Sequence, residues 1–128
     1  MHDKKWYDKW RRKYKPSRIR CLLVAESPPK SKDGRFFYNP HQEKYDFLFK
    51  SVMEVIFPDF KTEYRKGKKD VYLRRFQKKG FCLIDASDEP INARSRCERC
   101  RIIIENLKEK VNEIKKLVSK NTPIILIK

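Results

Sequence analysis

The sequence predicts an α/β protein, a three-layer α/β/α sandwich around a short parallel sheet. Two patterns predict it. Three short apolar runs, at 19–25, 81–85 and 123–127, alternate with segments of helical period. The first run, Cys21-Leu22-Leu23-Val24-Ala25, has no polar alternation, as in a strand buried on both faces. Strands that alternate with helices imply parallel pairing through right-handed crossovers.

The elements follow in order. Trp6, Trp10 and Tyr14 recur at i, i+4 and i+8 between lysines and arginines. They mark one packing face of a helix over 3–15 that Pro16 ends. Strand one, 19–25, stops at Pro28 and Pro29, which lack the N–H a ladder needs. A turn-rich loop, 26–41, follows. Tyr45, Leu48, Phe49, Val52, Met53 and Ile56 then predict a helix over 42–57, ended by Pro58. A basic connector, 61–69, leads to a helix over 70–79, with Asp70 as its N-cap and Gly80 as its stop. Strand two is 81–85, and a second loop is 86–96. Ile104, Leu107, Val111, Ile114 and Val118 predict a long helix over about 98–119. Strand three, 123–127, closes the order. Residues 1–17 read as a basic aromatic N-terminal helix and 18–128 as the α/β domain. The chain stops at or just after a buried strand, so a shortened chain or a sheet completed by a partner is expected.

At 128 residues the chain has room for one core. Its 33 Lys and Arg against 17 Asp and Glu give a net charge of +16. A thermophile-like composition explains dense charge but not a twofold excess of one sign. The excess points to a polyanion: nucleic acid first, DNA or RNA, and an anionic membrane surface second. No apolar segment reaches the length of a membrane span, and no apolar stretch follows the basic N-terminus as in a signal peptide. A cytoplasmic protein without a membrane partner is expected.

Each of the first two strands ends in a carboxylate, Glu26 and Asp85. The carboxyl edge of an open α/β sheet is where ligands bind, and two acids converging there suit acid–base or electrostatic work. Each acid could equally cap the helix that follows. The first loop carries Phe36-Phe37-Tyr38 among Lys30, Lys32 and Arg35. Aromatic faces stack on nucleobases and the cations suit phosphates; at least one ring is expected to plug the core instead.

Val24-Ala25-Glu26-Ser27-Pro28-Pro29, then Gly34-Arg35-Phe36-Phe37, resembles the first motif of the uracil-DNA glycosylase superfamily. The iron–sulfur branch of that superfamily has Gly-Glu-Ala-Pro-Gly followed by Gly-Arg-Pro-Phe. Leu83-Ile84-Asp85, then Pro90, Asn92 and Arg94, resembles its next block, and the resemblance covers roughly 18–128. It implies a DNA glycosylase-like hydrolase of DNA repair, which flips a damaged or deaminated base into a pocket at the sheet edge and cleaves its N-glycosidic bond. Glu26 and Asp85 would be catalytic. Ala25, Ser27, Pro28, Phe36 and Phe37 would hold the base. Lys30, Lys32, Arg35, Asn92 and Arg94 would hold the backbone.

Three departures stand beside the resemblance. Asp85 replaces an Asn, and a carboxylate can only accept where the amide also donates. The late His-containing loop of the family has no counterpart, since His2 and His41 do not match it. The cluster-binding cysteines are incomplete: Cys21 and Cys82 lie in strands, and Cys97-x-x-Cys100 supplies two ligands of four. No cofactor is therefore expected. A non-catalytic nucleic-acid-binding relative and a redox or metal domain centred on Cys97 and Cys100 are the alternatives.

Overall fold

The computed structural model describes residues 3–30 and 33–127. In chain order they form α1 (Lys4–Lys13), β1 (Cys21–Ala25), α2 (Phe47–Ile56), α3 (Phe60–Glu63), α4 (Lys69–Lys78), β2 (Phe81–Asp85), α5 (Arg96–Glu105), α6 (Leu107–Leu117) and β3 (Ile124–Leu126). The sheet is parallel with order β2-β1-β3, and β1, the run that the sequence reads as buried on both faces, occupies the centre. The mixed α/β class and the parallel sheet expected from the alternation are present.

Strand alternation sorts the core into two layers. Leu23, Ala25 and Leu83 face α1, α2 and α4 in a cluster rich in rings, among them Tyr7, Trp10, Tyr14, Phe49, Tyr72 and Phe76. Leu22, Val24, Cys82 and Ile84 face the other way, against Ile114, Leu117 and Val118. The α1 stripe thus packs, as its spacing predicts, and Asp3 caps the helix by accepting from the Trp6 N–H.

Several boundaries differ from the sequence reading. The helix expected from residue 42 begins at Phe47. Residues 42–46 serve instead as a bracket: Tyr45 takes a positive φ of 59°, and the Gln42 carbonyl accepts from buried Lys69. The connector contains the single turn α3. Asp70 does not cap α4, which starts one residue earlier; its carboxylate accepts from the Tyr14 hydroxyl and from Arg74. The long helix divides at Asn106, and only its second half, α6, covers the sheet; α5 buries no residue.

Gly80 ends α4 at a φ of +86° and places its carbonyl to accept from the N–H groups of Arg20 and Cys21. A Cβ there would meet the Arg20 Cγ at 2.7 Å, so glycine is required on two grounds.

The outer edge of β2 is closed by Tyr38. Its hydroxyl donates to the Leu83 carbonyl at 2.8 Å and accepts from the Leu83 N–H at 2.6 Å. An edge strand offers unpaired backbone groups, and one buried hydroxyl here satisfies both. Tyr38→Phe leaves that pair buried and unsatisfied, so a loss of about 2 kcal/mol in unfolding free energy is expected. Chemical denaturation of the two proteins side by side measures it.

Candidate nucleic-acid interface

The two acids at the carboxyl edge do not share a pocket. Ala25 pairs with Asp85 in the β1–β2 register, so both side chains fall on the α1 face. Glu26 is one residue further on and turns to the opposite face, toward α5. Asp85 is buried there beneath Arg11, whose Nη2 lies 3.2 Å from Oδ2. The same guanidinium donates to the Asp88 carbonyl and to Asp8, so one side chain stitches α1 to the end of β2. Burial pushes the Asp85 carboxyl up to about 6, against the opposing charge of Arg11. Glu26 remains accessible, its side chain 52% exposed, and its Oε1 lies 2.9 Å from Arg99 Nε. Each acid thus has its own arginine on its own face.

The aromatic loop is placed in the core. Phe36, Phe37 and Tyr38 are all buried and pack against Tyr7, Phe49, Phe76 and Tyr14. The expectation of at least one plugging ring becomes three, because the outer edge of β2 and the rings of α1 and α4 need covering. Stacking of Phe36 or Phe37 on an inserted base therefore requires them to leave this cluster. Ala25 and Pro28 are buried and Ser27 is half-buried. Lys32 lies outside the described residues.

The structure does join the two carboxyl-edge loops. The Lys30 N–H donates to Asn92 Oδ1 at 2.9 Å, and the Ser87 N–H donates to the Glu26 carbonyl at 2.9 Å. Arg94 is exposed and lies 3.8 Å from Glu98. Glu26, Lys30, Asn92, Arg94 and Arg99 thus belong to one edge, together with Arg35, which is half-buried. The charge there is mixed, since Asp33, Asp88, Glu89 and Glu98 stand on the same loops and the start of α5.

Half of the +16 excess lies at the other end of the sheet. All three parallel strands start at one edge, so the three segments that lead into them meet there. Gln77 Nε2 donates to the carbonyls of Lys13 and Lys15. The Arg20 N–H reaches the Gly80 carbonyl at 2.7 Å, and the Leu22 N–H reaches that of Pro123 at 2.9 Å. The first segment presents Lys13, Lys15, Arg18 and Arg20, the second Lys78 and Lys79, the third Lys116 and Lys120. Each of these cations is exposed, and residues 13–20, 77–80 and 116–123 contain no Asp or Glu. None of the eight enters an ion pair among the described residues. Two shallow recesses of about 360 and 380 Å³ indent this edge and share Arg18, Ile19 and Ser119. Ser17, Asn121 and Thr122 line them as further polar groups.

Sequence reasoning placed the backbone contacts at the carboxyl edge and missed this one. The signal was present: every segment that immediately precedes a strand is basic and acid-free. It also missed Arg11 and Arg99. Arg11 follows Tyr7 by four residues and precedes Tyr14 by three, so a cation sits on the packing stripe of α1. That position calls for a buried counter-charge.

Comparison with protein-family models, with curated proteins and with solved structures finds no match. Fold and surface together define a small α/β protein, with a three-stranded parallel sheet, six helices among the described residues, and a cationic sheet edge. Among the described residues no helix is long and apolar enough to cross a membrane. Nor do they hold a cluster of three or more His, Cys, Asp or Glu side chains suited to a metal ion. Cys97 and Cys100 are exposed on α5.

Proposed function

We propose that the protein binds nucleic acid, DNA or RNA, by its phosphate backbone along the amino-terminal edge of the sheet. The observation that supports this is the convergence of three acid-free segments whose cations are exposed and unpaired. Cations without a carboxylate partner are free to displace condensed counterions from a phosphate chain. The Phe36, Phe37 and Tyr38 rings are inside, and the one ring in the three basic segments, Tyr14, is buried, so binding by this edge is backbone-directed and only weakly dependent on sequence.

Titration of a labelled oligonucleotide at several salt concentrations tests this. Affinity should fall steeply with salt. Replacing Arg18, Arg20 and Lys116 together with Ala should reduce the log–log salt slope by about 2–3, at about 0.9 per lost phosphate contact. Replacing Lys30 and Arg94 should leave it nearly unchanged. Binding insensitive to salt, or lost with the Lys30 and Arg94 changes alone, would falsify the assignment to the amino edge.

A second reading rests on Glu26. It is an accessible carboxylate at the carboxyl end of the central strand, beside the joined loops, where the uracil-DNA glycosylase-like motif lies. In that reading it stabilises positive charge developing on a sugar as a damaged or deaminated base leaves. Base release from uracil- or hypoxanthine-containing strands, abolished in Glu26→Gln, is the expected result. No release from either substrate removes this reading and leaves the binding one intact.

A further inference from the structure

A second surface lies on α5 and α6. Cys97, Cys100, Ile104, Leu107 and Val111 recur at alternating spacings of three and four, and Ile114 and Val118 continue the series. That is the a/d spacing of a coiled-coil seam. The seam changes role along its length. Ile114 and Val118 pack against the sheet, whereas Ile104 is 68% exposed, Leu107 51% and Val111 38%. Both thiols are exposed too, and the start of the seam lines a recess of about 460 Å³. The series crosses the junction of α5 and α6 at Asn106, where the Asn106 N–H donates to the Ile102 carbonyl and the Lys110 N–H to the Asn106 carbonyl; a row of uncovered apolar residues is uncommon on a monomer surface.

The charge beside the seam selects the occupant. In this register the row next to d is Arg101, Lys108 and Lys115, basic at each heptad. Arg101 reaches Glu105 of its own helix at 3.7 Å, while Lys108 and Lys115 enter no ion pair among the described residues. Charges in these rows set partner choice in helix pairs. A second copy is disfavoured: an antiparallel copy sets this row against itself, and a parallel copy sets it against a row of Arg96, Ile103 and Lys110, which offers no free carboxylate. A membrane surface suits a broad apolar face with inserting aromatics. This seam has no aromatic residue, and Glu98, Glu105 and Glu109 share the outer surface of these helices with the basic row, where an anionic lipid surface would repel them.

We propose that the exposed seam of α5 and α6 docks an amphipathic helix of a partner protein, one whose apolar seam is bordered by acidic residues. The partner's seam covers Ile104, Leu107 and Val111, and its carboxylates pair with Arg101, Lys108 and Lys115. The surface is separate from the cationic sheet edge.

The test uses the full chain and synthetic three-heptad peptides. The probe carries Leu at a and d and Glu at e and g. One control scrambles the same composition, which keeps the charge and destroys the seam. The other replaces Glu with Lys. The Glu-seam peptide should bind at least about tenfold tighter than its scramble, with a gain of helical circular dichroism. Ile104→Asp should abolish the difference; Ile104 is exposed, so the fold is retained. Joint Lys108→Glu and Lys115→Glu should shift preference toward the Lys peptide. Equal binding of probe and scramble overturns the proposal. So does a preference that the charge reversal leaves untouched. Ile104-dependent binding to phosphatidylserine vesicles without peptide binding assigns the surface to lipid instead, and Ile104-dependent self-association assigns it to a second copy.

Discussion

Lys69→Met is expected to lower the unfolding free energy by about 3–5 kcal/mol, the range for removing one partner of a buried ion pair. Lys69 is fully buried at the start of α4. Its ammonium donates to three acceptors, the carbonyls of Phe36 and Gln42, both at 3.0 Å, and the buried carboxylate of Asp46. It also lies 4.9 Å from the centre of the Phe49 ring. Burial pulls Lys69 down from its ordinary value and pushes Asp46 up, and each is opposed by the charge of the other. Methionine fills a similar volume but leaves one carboxylate and two carbonyls without a donor. Asp46→Asn in the Lys69→Met background should recover part of the loss, since it removes the uncompensated charge but not the orphaned carbonyls. Urea denaturation of the four proteins of this cycle separates the two contributions. Near-additive costs for the pair would sink the argument. The effect reaches the first loop, because Lys69 clamps residues 36–46 beside the sheet. Protection of the Phe36–Tyr38 amides from hydrogen exchange should fall in Lys69→Met before global unfolding.

The element order was legible because proline and glycine punctuate it. Pro16, Pro28 and Pro58 follow the ends of α1, β1 and α2 within three residues, and Gly80 stops α4 at a positive φ. The parallel pairing followed from the alternation of helix and strand. The site was less legible, for a reason of register. Whether Glu26 and Asp85 face each other depends on which residue of β1 pairs with which residue of β2. A shift of one residue moves a side chain to the other face. With Ala25 opposite Asp85 the acids part, and no residue near either one reports this. The three rings of the first loop had a similar ambiguity. Their burial follows from the open edge of β2 that Tyr38 closes, a requirement set by a strand far along the chain. The division of the long helix at Asn106 was also hidden, since the seam spacing runs through it without a break.

Between pH 4 and pH 7 the wild-type protein should lose about 3 kcal/mol of stability relative to Asp85→Asn. The group's ordinary value is 3.8, and in the fold burial raises it to about 6. Between those values the native state holds a proton that the unfolded chain has released. The stabilisation is therefore complete below about pH 4 and is lost as pH rises through about 6. This is the reverse of an ordinary ion-paired aspartate, for which stability falls in acid. Arg11 is present but insufficient, because its guanidinium is shared with Asp8 and the Asp88 carbonyl. Asp85→Asn keeps an oxygen for Arg11 and does not titrate, so the difference between the two proteins isolates this one group from the other carboxylates. The difference between their unfolding free energies, measured at half-unit steps of pH, should change steadily between about pH 4 and 6, with wild type losing ground, and level off above about pH 7. Parallel curves would mean that Arg11 holds Asp85 ionised throughout. The consequence for function is specific. A carboxyl that titrates near 6 at a strand end has the properties of an acid–base group, yet Arg11 and α1 close it from solvent. Any chemistry at the carboxyl edge thus falls to Glu26, on the opposite face, unless α1 moves.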